Sequence, residues 1–157
     1  MKAFDYVELR IPAKPQYVSV IRLAVSGLAN RIGFLYDQIE DLKIAVSEAV
    51  TNVVHHAYND EHDEGEIVIG CGLYQQKIEI MVADQGSSFN FEEVKLKTGP
   101  YKQNENIAQL REGGLGLYLM ETLMDEVRMN NEGGVTVFMT KYVRGEQVEE
   151  YGETIST

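Results

Sequence analysis

The run Glu48-Ala-Val-Thr-Asn52 and the residues around it constrain this chain more than any other stretch. Ile39, Leu42, Val46, Ala49, Val50, Val53 and Ala57 recur at three- and four-residue spacing, which predicts one long amphipathic helix ending near Tyr58. Asp37 and Glu40 supply a capping-box start for it. At about 100° per residue, Glu48 and Asn52 fall within roughly 40° of each other, off the apolar stripe. If the stripe rests on a sheet, both residues face whatever covers the helix's outer side. Such a pair fits an ordinary solvated helix face. It also fits a phosphate–metal site, because an amide oxygen is a hard, neutral ligand for Mg²⁺. The carboxylate one turn away can orient or deprotonate a nucleophile.

The rest of the chain supplies a frame for that helix. Residues 4 to 11 alternate as a strand. Pro15 opens a helix running to about Arg31, with a stripe of Tyr17, Val20, Ile21, Ala24 and Leu28 and with Gly33 as its stop. Arg22 lies opposite that stripe, exposed. Glu66–Tyr74 and Lys77–Asp84 flank Gln75-Gln76 as an antiparallel hairpin. Ile78, Ile80 and Val82 share a face, and Asp84 follows with the same parity, at the sheet end beside the organising helix. Asp84-Gln-Gly86 reads as a turn. It reads equally as a site in which a carboxylate accepts from an exocyclic amine and a glycine admits a flat ring.

Residues 87 to 112 show little periodicity, and a loop that long in a small domain is typically a lid or disordered. It ends at Arg111-Glu-Gly-Gly-Leu-Gly116, which opens a helix carrying Leu117, Met120, Leu123 and Met124. A glycine-rich turn at a helix start offers free N–H groups to phosphates, although many such turns are only flexible. Strands over 126–130 and 135–142 follow, the second containing Thr136. Residues 1–145 are expected to form one domain and residues 146–157 an acidic, loose tail.

Charge decides which partners are open to such a chain. The net charge of −11 over 157 residues argues against direct nucleic-acid binding, which needs cations to neutralise phosphates. An anionic ligand would have to be held by backbone N–H groups, a metal ion and a few local cations. No apolar run approaches the roughly 20 residues of a membrane span, and the N-terminus has no signal-peptide pattern. The single cysteine, Cys71, excludes a disulfide framework, and a reducing cytoplasm fits.

Taken in order, Glu-x-x-x-Asn on a helix, Asp-x-Gly after a strand, a long lid and Gly-x-Gly at a helix start resemble the Bergerat-type ATP-binding fold shared by gyrase, Hsp90, histidine kinases and MutL. Within it, residues 40–52 and 112–126 resemble the sigma-B-type anti-sigma factors that are also serine-protein kinases. The likeness runs from about Tyr6 to Tyr142. It implies an α/β two-layer sandwich, a mixed and mainly antiparallel sheet with helices on one face.

The resemblance also implies roles. Asn52 would hold Mg²⁺ bridging the ATP phosphates. Asp84 would accept from the adenine amino group, with Gly86 beneath the ring and His56 and Ala57 nearby. Gly113, Gly114, Leu115 and Gly116 would cradle phosphates, and Thr136 matches a threonine of the last strand. Glu48 would be the general base toward a partner's serine. Arg22 matches an arginine that related anti-sigma factors use against their partners. Some relatives place an arginine two residues before the first glycine of Gly-x-Gly; here that position is Glu112, and Arg111 precedes it. The implied partners are an alternative, stress-response sigma factor, a small anti-anti-sigma protein inactivated by phosphorylation, and a second copy of the chain. A protein that uses ATP only as a structural ligand, sequestering its partner without useful phosphoryl transfer, is the alternative. Glu48 discriminates the two, since sequestration needs no base.

Overall fold

The computed structural model describes residues 3–57, 65–84, 99–100, 115–130 and 136–144, with only the backbone described at 56, 57, 99, 100 and 115. Strand β1 (Asp5–Pro12) leads through a single 3-10 turn (Pro15–Tyr17) into helices α1 (Val18–Ile32) and α2 (Tyr36–Ala57). Strands β2 (Glu66–Leu73), β3 (Lys77–Ala83) and β4 (Gly99–Pro100) follow, then helix α3 (Leu115–Leu123) and strands β5 (Glu126–Asn130) and β6 (Thr136–Tyr142). The sheet order is β1-β2-β3-β6-β5-β4. Every pairing among the described residues is antiparallel, the limiting case of the mainly antiparallel sheet expected.

Local chemistry sets the helix ends. α1 stops at Gly33, whose φ of 111° is the left-handed conformation that glycine adopts without a side-chain penalty. The N–H groups of Gly33 and Phe34 then donate to the carbonyl of Ala29, at 3.1 Å each. α2 begins one residue before the Asp37 start that the sequence predicts. Gln38 makes the box instead: its Oε1 accepts from the N–H of Leu35 at 3.0 Å. Glu40 is drawn off to Lys43, 3.0 Å away.

The helices cover one face of the sheet, and the core lies between. Leu42, Ala45, Val46, Ala49, Val50 and Val53 of α2 are fully buried against Ile67, Ile69 and Cys71 of β2, Ile78, Ile80 and Val82 of β3, and Val137 and Met139 of β6. The α1 stripe is rotated from the predicted one: Ile21, Val25 and Ala29 are buried, while Val20 turns outward. Burial pushes the Cys71 thiol up to about 12, which leaves it an inert core residue at neutral pH.

The other face alternates with this one and is more polar. Tyr74 donates its hydroxyl to Glu79 Oε1 at 2.6 Å, and Lys77 Nζ lies 3.2 Å from Glu79 Oε2 and 4.7 Å from the Tyr74 ring centre. Glu79 is thus a buried carboxylate that takes two partners from its own hairpin. Arg128 stacks over Phe138, 4.6 Å from the ring centre.

Gly99–Pro100 pairs with Met129 and Arg128 at the sheet edge, inside a stretch that the sequence reads as structureless. Glycine and proline are depleted in strands and give no strand signal, and an edge position is one that proline tolerates. The acidic tail expected at 146–157 lies outside the described residues. Among the described residues no helix is long and apolar enough to cross a membrane.

Candidate functional site

α2 carries the two polar residues that dominate its sequence, and the fold treats them differently. Glu48 is half-buried and lines a groove between α1 and α2. Asn52, one turn further on, is 0% exposed. Neither its Oδ1 nor its Nδ2 has a hydrogen-bond partner among the described residues. A buried amide lacking both partners is rare, because burying such a group uncompensated costs on the order of 1–3 kcal/mol. Its oxygen is a ready ligand for a hard cation, and its nitrogen a ready donor.

The sheet contributes Asp84. β3 ends at Ala83, and the alternation that sends Ile80 and Val82 under the helices sends Asp84 the same way. Asp84 is 7% exposed. Asn52 and Asp84 are therefore two polar residues withdrawn from solvent on the helix side of the sheet, where the surrounding core is otherwise apolar.

The register does not bring Thr136 to that side. Thr136 pairs with Ala83, while Val137 and Met139 face the helices, so its hydroxyl alternates onto the opposite face. A one-residue step along a strand exchanges faces.

α3 is fastened at its C-terminal end. Lys141 Nζ donates to the Leu123 carbonyl at 2.6 Å, and the N–H of Tyr142 donates to Asp125 Oδ2 at 2.7 Å. Arg144 pairs with the same aspartate. Burial lowers the pKa of Lys141, and the nearby Asp41 partly opposes that shift. Gly116 is in the first turn of α3 and is buried. Leu115 opens the helix, and His56 and Ala57 close α2, with their side chains outside the described residues. Gly86, Arg111, Gly113 and Gly114 lie outside the described residues altogether.

Arg22 stands on the exposed face of α1, with Nη1 3.5 Å from Ser47 Oγ on α2. Ser47 donates to the Lys43 carbonyl at 2.7 Å. The groove these residues share, about 400 Å³, is lined by Arg22, Glu40, Lys43, Ile44, Ser47 and Glu48. Lys43, Ile44 and Ser47 have no distinguishing mark in the sequence beyond lying one to five residues before Glu48. They read there as an ordinary solvated helix face. Arg22, in contrast, is brought to the same groove as Glu48 from 26 residues away in sequence.

Comparison with known proteins places this arrangement. The histidine kinase-like ATPase domain matches residues 11–141. Serine-protein kinase RsbW of Oceanobacillus iheyensis is 55% identical over 157 residues, spanning 100% of this chain and 99% of that protein. Serine-protein kinase RsbW of Bacillus subtilis is 56% identical over 145 residues, spanning 92% of this chain and 90% of that protein. A crystal structure of the RsbU and RsbW domains of a Mycobacterium tuberculosis protein shares the fold, with a TM-score of 0.60 at 22% identity over 87% of this chain and 32% of that longer one. The chain belongs to the histidine kinase-like ATPase family and, within it, to the group of the RsbW serine-protein kinases.

Proposed function

We propose that this chain is an anti-sigma factor and Mg-ATP-dependent protein-serine kinase. It sequesters an alternative, stress-response sigma factor and phosphorylates the anti-anti-sigma protein that would release it. The observation that carries this reading is the contrast along one helical turn of α2. Glu48 opens onto a groove that a protein can reach, and Asn52 sits buried with an unsatisfied amide.

The roles follow from that placement. Asn52 Oδ1 would hold Mg²⁺, a hard cation suited to an amide oxygen and phosphate oxygens. The metal supplies neutralisation of the phosphate charge. Asp84, held out of water, accepts from the exocyclic amine of adenine, and Gly86 lets the ring lie against the backbone. Gly113 to Gly116 offer N–H groups to the phosphates at the start of α3, with Arg111 on the approach to them. Glu48 accepts the proton of the partner's serine hydroxyl as its oxygen attacks the γ-phosphorus and the bond to the β-phosphate oxygen breaks, leaving ADP. For such a reaction, positioning and charge stabilisation make up most of the catalysis. Arg22, across the groove from Ser47, meets the partner surface. A second copy docks through the N-terminal strand and helix, the edge of the sheet.

Intact-mass spectrometry tests the reading. The chain, Mg-ATP and an anti-anti-sigma protein are incubated together, and one added phosphate on that protein's serine is expected. Tight ATP binding and complex formation without any transfer would establish the sequestration alternative in its place.

A further inference from the structure

We infer that the groove between α1 and α2 seats the serine-bearing segment of the phosphoacceptor in extended form, with Ile44 reading an apolar side chain two residues from the acceptor serine. This rests on the kinase reading of Glu48 and specifies the substrate for that site.

Four observations carry it. First, Glu48 lines the groove, so the acceptor hydroxyl has to arrive at that end of it. Neither Asn52 nor Asp84 lines it, which separates it from the residues assigned to the nucleotide. Second, Ile44 is 44% exposed on a helix whose other large aliphatic side chains serve the core. Its outward position has no use inside the described fold. Third, the walls are linked by contacts within and between the two helices. Lys43 is held by Glu40 at 3.0 Å, and Ser47 receives Arg22 at 3.5 Å while bonding back to its own helix. Fourth, a volume of about 400 Å³ admits a few residues of chain.

The spacing gives the register. Glu48, Ile44 and Glu40 follow at four-residue steps along α2, about 6 Å per step at 1.5 Å rise per residue. An extended chain advances about 3.3 Å per residue, so each step is matched by about two residues. With the hydroxyl at Glu48, the side chain two residues away lies over Ile44. The one four residues away reaches the Glu40–Lys43 pair. Apolar contact at Ile44 makes it a specificity-determining residue, and its loss falls on partner binding rather than on the chemical step.

Steady-state kinetics on the full chain with Mg-ATP and the purified anti-anti-sigma protein test this. Ile44→Asp should raise KM for the protein substrate about tenfold or more, with kcat held within about twofold. Nucleotide affinity should be unchanged, and Ile44→Leu should restore the wild-type KM. Aspartate placed two residues from the acceptor serine, on one side of it, should reproduce the KM rise without adding to that of Ile44→Asp. An unchanged KM in Ile44→Asp overturns the inference, as does coupling to Ile44→Asp at the position four residues from the serine instead of two, the mark of a helical segment. A wild-type chain that transfers no phosphate overturns the kinase reading and this inference with it. Transfer that is indifferent to Ile44 overturns this inference alone.

Discussion

Glu79 and Asn52 are both polar, both almost fully out of solvent, and lie on opposite sides of one sheet, yet the fold provides for only one of them. Glu79 is 2% exposed and receives the Tyr74 hydroxyl at 2.6 Å and the Lys77 ammonium at 3.2 Å, all from one hairpin. Asn52 is 0% exposed and has no partner for either amide atom among the described residues. The first is a completed structural network. The second is a buried amide left without hydrogen bonds among the described residues. Burial alone does not separate a structural polar group from a binding one; the state of its partners does.

The largest effect expected is at the α2 carboxylate that lines the groove. Glu48→Gln should lower the rate of phosphoryl transfer on the order of 10²–10⁴-fold, the usual contribution of a positioned base, while fluorescent nucleotide still binds. A wild-type rate would remove Glu48 from that role. Next, Asn52→Ala should weaken Mg-nucleotide about 10–100-fold by titration, yet leave the urea midpoint of the nucleotide-free chain unchanged or raised. Tyr74→Phe should do the reverse. It removes a buried hydrogen bond to a carboxylate, so stability should fall by about 1–3 kcal/mol while ATP affinity holds. If Asn52→Ala destabilises the free chain as much as Tyr74→Phe does, the two sites are of one kind and the comparison collapses.

The smallest effect concerns Cys71, beneath α2. Its thiol titrates at about 12 in the fold against 9.0 for the ordinary group. The unfolded chain therefore loses its proton first as pH rises. Stability from this group is complete below about pH 9 and declines between there and pH 12, by at most about 1.4 kcal/mol per unit. Cys71→Ser or Cys71→Val should flatten that alkaline decline in denaturation curves. Parallel slopes for variant and wild type would show that the thiol is not its source.

What was legible in the sequence was whatever has a period. The α2 stripe, the β2–β3 hairpin and the parity that carries Asp84 to the helix side all follow from spacing of 3.6 or 2. The exact start of α2 was not legible, since Asp37, Gln38 and Glu40 are all competent capping residues. Gln38 wins because it is the one that reaches the N–H of Leu35, and its Nε2 also meets the Tyr142 carbonyl at 3.4 Å. The rotation of the α1 stripe depends on how α1 leans on α2, a tertiary matter that propensity does not encode. Thr136 shows the weakness of matching a motif by letter: the residue type agrees, but the register against Ala83 puts it on the wrong face. The groove beside Glu48 needed Arg22 to arrive from another helix.

The fastening of α3 has an electrostatic consequence. A helix is ordinarily a dipole, and seen from a distance its two ends cancel. Here the cationic side chain of Lys141, 2.6 Å from the last carbonyl of α3, answers the negative end from within the protein. The clasp acts at the negative end alone. The N-terminal pole of α3, about half an elementary charge and positive, is then less cancelled by the far end of its own helix. On a chain of net charge −11, that is a local attraction for phosphate that a count of lysines and arginines does not register.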